Sequence, residues 1–348
     1  MIYHGDAKKY IQETPKVLRE IWRYREDIFR SSIKVLDGNI SGIYLTGAGS
    51  SFHAAVAATD FIREILQREV YTMQPEELEG MLGILPPSSV CIGISQQGTS
   101  LSVIRALDAA GRHGLRTIAM TGEHDTELTR HGDAVSYIEC GIEDAGATTK
   151  GVTATTLSLM LLAMRYAFVR ERLKGEGLRE LDQRLRTCIT FMDTIPQRVE
   201  SYYATVRDVL LRTKDLFIIS DYRNRAVMLE CELKFSETCR FPVRGRVADS
   251  FMHGLYNAVN RETVFLLIGN DANVEKLGRY YRAGGNRVLS LGREQLGDCD
   301  VCHPFTVLAY LMATQILFVN LSKDLGIDLN VPADPEFHKK MDSKLEAQ

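Results

Sequence analysis

The stretch that decides the fold reads GIYLTGAGSSFHAA, from Gly42 to Ala55. A short apolar run ends in a turn rich in Gly and Ser, and an apolar pattern with helical spacing begins directly after it. The stretch VCIGISQQGTS, from Val90 to Ser100, has the same order of apolar run, polar turn and helix. This repetition predicts parallel strands that are joined by helical crossovers.

The same rhythm continues through both halves of the chain. The further predicted strands are Arg116–Met120, Ala134–Ile138, Asp215–Ser220, Val264–Ile268 and Asn286–Leu291. The predicted helices between them include Val152–Glu171, a helix ending near Glu237, Ala272–Ala283 and Pro304–Asp324. We therefore predict an α/β protein with two doubly wound parallel sheets, each flanked by helices.

Five segments follow from this pattern. They are a helical N-terminal segment (1–40), a first sheet domain (41–173), a helical connector (174–213), a second sheet domain (214–325) and a C-terminal tail (326–348). The connector opens with many charged residues, which is typical of a solvated helix face. The tail carries two prolines and charged residues, and we expect it at the surface.

Composition excludes several classes of function. The 348 residues are 45% hydrophobic and 25% charged, with a net charge of −3, so no nucleic-acid partner is expected. An anionic ligand must then be held by a local site. The N-terminus has no signal pattern, and Leu157–Val169 and Val307–Leu321 are too short and too polar in places to span a membrane. We expect a cytoplasmic protein without a membrane partner.

The seven cysteines are odd in number and scattered, which predicts free thiols. Cys299 to His303 reads CDVCH, the spacing of a c-type haem attachment site. That chemistry needs export, and a zinc site needs a second ligand pair, so we interpret the motif as the end of a buried strand. No metal or cofactor is expected.

Two polar turns, at residues 48–51 and 95–100, are typical of an anion-binding site. Each follows a strand and opens a helix, where unsatisfied N–H groups carry the positive end of the helix dipole. Ser hydroxyls at such positions can donate to phosphate oxygens. Neither turn fits the nucleotide P-loop or the dinucleotide fingerprint. Plain helix capping remains the alternative explanation.

Two further clusters complete the set of candidates. The polar loop at residues 145–156 opens a long helix, and it either caps that helix or lines the same pocket. Lys234 and Glu237 stand three residues apart and so share a helix face, with His253 following. A surface ion pair is the simpler explanation of the first two.

Together the clusters resemble the isomerase half of glucosamine-6-phosphate synthase and its SIS-domain relatives, over nearly the whole chain from Gly42. The family loops Cys-Gly-Thr-Ser-Tyr-His-Ala and Ser-Gln-Ser-Gly-Glu-Thr correspond to residues 48–54 and 95–100. The family motif Leu-Lys-Leu-Lys-Glu corresponds to residues 233–237, and the family Lys-His-Gly falls on Met252 to Gly254 without a gap. The loop KGVTATT, residues 150–156, is more similar to deglycase-type relatives.

The resemblance implies a role for each cluster. Ser51, Ser95, Gln96 and Ser100 would hold a phosphate, within a candidate substrate-binding set of Gly49, Ser50, Ser51, Ser95, Gln96, Gln97, Ser100, Thr149 and Val152.

The same resemblance implies catalytic residues. Glu237 would move a proton between C1 and C2 of the sugar, and Lys234 would polarise the oxygen or support that base. His253 would open the sugar ring, arriving from the neighbouring subunit of a homodimer with shared active sites. A tail lysine, Lys339 or Lys340, would contact the open-chain sugar, either without a covalent bond or as a Schiff base.

The implied reaction is isomerisation of an amino-sugar 6-phosphate or fructosamine 6-phosphate with release of the amine. No glutaminase domain precedes Gly42, so transfer of ammonia from glutamine is not expected. Two alternatives stay open: a nitrogen-free aldose–ketose phosphate isomerase, and a non-catalytic sugar-phosphate-binding regulator.

Overall fold

The computed structural model describes residues 3–345 of the chain. The outermost residues of the predicted terminal segments, 1–2 and 346–348, lie outside the described residues. The helices are α1 (Ala7–Ile28), α2 (Arg30–Val35), α3 (Ser50–Leu66), α4 (Pro75–Met81), α5 (Leu101–Arg112), α6 (Lys150–Val169), α7 (Glu176–Met192), α8 (Ile195–Leu211), α9 (Arg225–Cys239), α10 (Ala248–Met252), α11 (Ala272–Ala283), α12 (Arg293–Leu296), α13 (Thr306–Asp324) and α14 (Phe337–Lys340).

The first sheet is parallel throughout and has the order β2-β1-β3-β4-β5. Its strands are β1 (Ile43–Gly47), β2 (Val70–Met73), β3 (Val90–Ile94), β4 (Arg116–Thr121) and β5 (Ala134–Tyr137). Every residue of β1 and β3 is buried, because helices cover both faces of the sheet. Gly47 is in register with Ile94, so the two polar turns leave the sheet at the same edge.

The second sheet is also parallel, with the order β7-β6-β8-β9. Its strands are β6 (Leu216–Ser220), β7 (Val243–Val247), β8 (Val264–Ile268) and β9 (Arg287–Leu291). One face packs an aromatic cluster of Phe217, Phe251, Phe265 and Tyr281. The α/β class with two parallel sheets, predicted from the strand and turn rhythm, is confirmed.

Two apolar helices, α6 and α13, join the halves of the molecule in one hydrophobic core. Gln315 on α13 donates to the Thr149 carbonyl and to Thr153 Oγ1 on α6, at 2.8 and 3.1 Å. By length and composition both helices could cross a membrane, contrary to the sequence expectation. Their most apolar windows are 83% and 78% buried within the protein, which is the environment of core helices.

The N-terminal segment packs on this core through one face of α1. Ile11, Leu18 and Ile21 are buried, and Asp6 caps the helix by accepting from Lys8 N–H and Lys9 N–H. Because the apolar face of α1 is already covered by the core, the segment is an integral part of the fold.

Two strands, β2 and β7, were not predicted from the sequence. Both lie at an edge of their sheet, where part of each strand faces solvent. β2 has only four residues, and β7 reads VRGRV, with two arginines. Short or charged edge strands lack the apolar run that marks a central strand.

The connector segment contains two helices, α7 and α8, and Pro196 stands in the first turn of α8, where proline starts a helix readily. One other prediction needs correction. The motif around Cys299 is not the end of a strand but a 3₁₀ turn, Cys299–Cys302. Both of its cysteines are buried free thiols, and the Cys299 thiol lies 3.6 Å from the Tyr310 hydroxyl.

Candidate active site

A cavity of about 320 Å³ lies beyond the carboxyl ends of β1 and β3, between the two halves of the molecule. Its walls are the turns after β1 and β3, the start of α6, one face of α9, and the tail. Carboxyl ends of parallel strands are the usual location of ligand sites in such sheets. The cavity also brings most of the sequence-predicted residues together.

The turn after β1 places Gly49, Ser50 and Ser51 on the cavity wall, as predicted. Gly49 has a φ of 53°, and a Cβ at Gly47 would lie 3.1 Å from the backbone of the following turn. Both glycines are therefore needed for the tight entry into α3. No side chain of the described residues caps the α3 N-terminus. The Ser51 N–H donates to the Ala48 carbonyl at 3.2 Å, and N–H groups of the first turn without such a partner can bind a ligand.

The turn after β3 brings Ser95, Gln96, Gln97 and Ser100 to the same wall. The amide of Gln96 is committed at both ends, because Nε2 lies 2.8 Å from Cys140 Sγ and Oε1 accepts from Thr155 Oγ1 at 3.3 Å. These bonds fix the turn against α6. The N-terminus of α5, like that of α3, has no side-chain cap in the described part of the chain.

The N-terminus of α6 is different, because the carboxylate of Glu143 already occupies it. Glu143 Oε1 accepts from Thr149 N–H, Thr149 Oγ1 and Lys150 N–H at 2.5–2.9 Å, and Oε2 accepts from Gly151 N–H at 2.8 Å. Thr149 is fully buried and does not line the cavity, which corrects its prediction as a substrate-binding residue. Val152 does line the cavity.

Helix α9 contributes Lys234 and Glu237, and the ion pair between them is not a surface pair. Lys234 Nζ donates to Glu237 Oε2 at 2.8 Å, while the side chains are 4% and 42% exposed. Burial alone would lower the pKa of Lys234, but the carboxylates of Glu237 and Glu230 outweigh it and raise that pKa. The cavity therefore contains a permanent ammonium group beside a carboxylate that a ligand can reach.

Glu230 and His53 form a buried link between the halves that the sequence did not reveal. Glu230 accepts from Ser50 Oγ at 2.8 Å, and its other oxygen lies 2.7 Å from His53 Nδ1. Burial raises the pKa of Glu230, but Lys234 and His53 together lower it below its ordinary value. Glu230 thus ties the turn after β1 to the helix that carries Lys234.

The tail folds back over the cavity, and the lysine that it delivers is Lys344. Lys344 forms an antiparallel bridge with Ser100, and the N–H of Leu345 donates to the Thr99 carbonyl at 3.0 Å. Lys344 lines the cavity, whereas Lys339 and Lys340 are exposed on α14 and do not line it. The prediction of those two lysines is corrected in this way, because α14 turns them outward before the tail enters the cavity.

Burial lowers the pKa of Lys344, and Lys234 lowers it further, while Glu237 opposes the shift. The net result is an amine that loses its proton more readily than an ordinary lysine. A neutral amine is the nucleophilic form.

His253 does not reach the cavity of its own chain. It is exposed at the end of the short helix α10, with Met252 and Tyr256 also exposed beside it. Another histidine, His338 on α14, lines the cavity, and sequence reasoning missed it because nothing in the local pattern marks it. Tyr3 and Glu123 also line the cavity, and burial raises the pKa of both.

Comparison with known proteins shows what this fold and cavity are similar to. Residues 39–165 match the family model described as the SIS domain. Over most of its length the chain is similar to part of the glutamine–fructose-6-phosphate aminotransferases.

Two curated relatives illustrate that relation. The glutamine–fructose-6-phosphate aminotransferase (isomerizing) of Streptococcus pneumoniae R6 is 24% identical over 345 residues, covering 93% of this chain and 56% of the relative. The enzyme of the same name from Caldanaerobacter subterraneus is 26% identical, covering 93% and 57%. The chain spans little more than half the length of these relatives.

Solved structures show the same fold. A Clostridium difficile 630 protein described as a phosphosugar isomerase has a TM-score of 0.91 at 26% identity, covering 99% of this chain and all of that one. The glucosamine-6-phosphate deaminase of Thermotoga maritima has a TM-score of 0.72 at 20% identity, covering 94% and 98%. The tagatose-6-phosphate ketose/aldose isomerase of Escherichia coli has a TM-score of 0.71 at 15% identity, covering 94% and 95%.

Proposed function

We propose that the chain is an isomerase-type enzyme that releases the amine from an amino-sugar 6-phosphate or a fructosamine 6-phosphate. One observation carries the proposal: the buried Lys234 ammonium, the reachable Glu237 carboxylate and the Lys344 amine share one cavity with two serine-rich helix starts. An anion site next to an acid–base pair and a nucleophilic amine fits an open-chain sugar phosphate.

The phosphate would bind at the open N-termini of α3 and α5. Ser51, Ser95 and Ser100 stand there with hydroxyl donors, and the α6 N-terminus is unavailable because Glu143 fills it. This assigns the phosphate to one end of the cavity. The reacting carbons then lie toward α9 and the tail.

Glu237 would move the proton between C1 and C2. Its carboxylate is part-exposed to the cavity and is held by Lys234, which keeps it oriented for proton transfer. Lys234 would also stabilise the negative charge that develops on oxygen in the enol intermediate. Lys344 would add its neutral amine to the open-chain carbonyl, lose water to form a Schiff base, and be released by hydrolysis.

His253 would act on the cavity of a second copy of the chain, where it would open the sugar ring. Its exposure together with Met252 and Tyr256 supports a surface that a homodimer would cover. The cytoplasm is the compartment of this proposal, supported by seven cysteines that are all free and buried.

The test is amine release from glucosamine 6-phosphate and from fructosamine 6-phosphates by the wild type and by Glu237→Gln. Gln keeps the size of the side chain and can still contact Lys234, but it cannot take a proton. We expect release to fall by about 10³-fold in the variant, within the range of general acid–base catalysis.

Retained binding of a sugar phosphate and an unchanged circular dichroism spectrum would show that the variant is folded. Wild type that converts aldose and ketose phosphates but releases no amine would instead establish the nitrogen-free isomerase. Wild type that binds sugar phosphates and converts none would establish the regulator.

A further inference from the structure

His338 lies where the proposed reaction needs a proton carrier that no other assigned residue supplies. The chain has eight histidines, all within the described residues, and His338 is the one that lines the cavity. His53 is bound to Glu230, and His253 is exposed elsewhere on its own chain. His338 is exposed at the mouth of the cavity, where water can reach it.

The geometry of the tail fixes one ring nitrogen and leaves the other for a ligand. His338 Nδ1 shares a hydrogen bond of 2.7 Å with Ser343 Oγ, within the turn that carries Lys344 into the cavity. Within residues 3–345 the structure shows no hydrogen bond of Nε2. The imidazole is thus held by the tail, with Nε2 available to water or substrate.

The charged groups around His338 belong to the reacting end of the cavity. Burial lowers the pKa of His338, and the Lys344 ammonium lowers it further, while Glu237 opposes the shift. A mainly neutral imidazole can accept a proton from one atom and give it to another. The neighbours Lys344 and Glu237 place it beside the groups that are assigned to C1 and C2.

We propose that His338 carries the proton in the hydrolytic half of the reaction, after Glu237 has completed the isomerisation. This inference rests on the proposed function, because a nitrogen-free isomerase has no such step. Isomerisation ends with protonation of the enolamine on carbon, which leaves an iminium, a carbon–nitrogen double bond with a proton on nitrogen. Water adds to that carbon, with His338 Nε2 accepting a proton from the water as the carbon–oxygen bond forms.

The resulting carbinolamine then collapses. The carbon–nitrogen bond breaks, the carbonyl forms, and the proton held by His338 is delivered to the departing nitrogen. The hydroxyl proton of the carbinolamine leaves to solvent as the carbonyl forms, so the amine departs neutral and the imidazole also ends neutral. The step consumes one water and needs no other reactant.

The experiment separates the two halves of the reaction in deuterium oxide. Wild type, Glu237→Gln and His338→Asn are given glucosamine 6-phosphate and the glycine-derived fructosamine 6-phosphate. Deuterium incorporation at C1 and C2, read by NMR, reports the isomerisation. Release of ammonia or glycine reports the hydrolysis.

His338→Asn is the informative variant, because the Asn amide can replace Nδ1 in the bond to Ser343 and yet cannot carry a proton. His113→Asn is the matched control, since His113 is exposed at the end of α5 and bonds only its own helix through Ala109. We expect His338→Asn to release amine about 10²-fold more slowly, with deuterium incorporation within about threefold of wild type. We expect His113→Asn to match the wild type in amine release and in deuterium incorporation.

Three results would overturn the inference. If His338→Asn loses incorporation and release equally, the residue serves the isomerisation or the structure of the tail. If His338→Asn retains both deuterium incorporation and amine release, the residue does not carry the proton. If the wild type incorporates no deuterium and releases no amine, the proposed function itself fails, and the inference falls with it. That result is recognisable because Glu237→Gln would then show the same deuterium incorporation and amine release as the wild type.

Discussion

The two sheets have the same parallel architecture, yet only the first one presents open helix N-termini to the cavity. After β1 and β3, the starts of α3 and α5 carry Gly and Ser and have no side-chain cap among the described residues. After β8, an acidic side chain fills the equivalent position. Asp271 caps α11 by accepting from Asn273 N–H at 2.8 Å.

After β6, the start of α9 has no side-chain cap among the described residues, but Asp221 lies in the turn before it. It accepts from Asn224 N–H at 2.8 Å, and one of its oxygens would lie only 2.5 Å from a Cβ added at Gly269 in the neighbouring turn. A carboxylate therefore occupies the crevice of the second sheet and would repel a phosphate. The difference supports the proposal in which the first half binds the anion and the second half presents α9, the helix that carries Lys234 and Glu237.

The largest effect is expected at the tail, which follows the second sheet and forms a bridge with Ser100 in the first half. Lys344→Met removes the amine from the cavity, and we expect kcat to fall by at least about 10²-fold. Borohydride trapping in the presence of substrate should mark Lys344 in the wild type, as peptide mass spectrometry can show.

The lowered pKa of Lys344 gives that labelling a pH dependence. The neutral amine is populated at a lower pH than in an ordinary lysine, so the labelling rate should reach its half-maximum below the ordinary pKa of about 10.4. A half-maximum at or above that value, or an adduct on another lysine, would contradict the assignment.

The next effect concerns Glu230, which joins the two halves. Glu230→Gln removes a buried charge that holds Ser50, His53 and Lys234, and we expect the free energy of unfolding at pH 7 to fall by about 2 kcal/mol. Urea denaturation of both proteins at a series of pH values from 7 to 3 measures this loss of stability.

The sign of its pH dependence follows from the lowered pKa. A carboxylate with a folded-state pKa below its unfolded value of about 4.3 stabilises the fold above that pH, and the contribution is lost as the pH falls through the folded-state pKa. The difference in the free energy of unfolding between wild type and Glu230→Gln should therefore become smaller below about pH 4. If this difference in the free energy of unfolding stays constant down to pH 3, then lost packing, and not lost charge, destabilises the variant.

A smaller effect should separate binding from chemistry in the first half. Ser51→Ala removes one hydroxyl donor at the open start of α3, and we expect KM to rise about tenfold with kcat nearly unchanged. Steady-state kinetics at two salt concentrations would test this. A fall in kcat at constant KM would place the phosphate elsewhere.

The smallest effect is expected in the second half. Asp271→Ala removes the cap of α11 and should lower the free energy of unfolding by about 1 kcal/mol, with KM unchanged. Thermal denaturation and kinetics on the same sample measure both. A rise in KM like that of Ser51→Ala would remove the distinction between the two sheets.

The sequence predicted what depends on local pattern. Central strands such as Val90–Ile94 are continuous apolar runs, and the turns after them are marked by Gly and Ser. The placement of Lys344 was not predictable, since it depends on a backbone bridge to Ser100, far away in the chain. The capping of α6 by Glu143 was missed for a related reason, because a loop carboxylate seven residues before the helix interior gives no periodic signal.

The bridge between Ser100 and Lys344 has a consequence for how this protein can change. Both sheets are complete by Leu291, and α13 ends at Asp324, so the segment that carries the cavity amine lies outside the secondary structure that builds the core. A nonsense mutation shortly before codon 344 would leave the phosphate turns and both sheets encoded. Under the proposed function, a single such mutation would turn the enzyme into a receptor for sugar phosphates, with no need to redesign its interior.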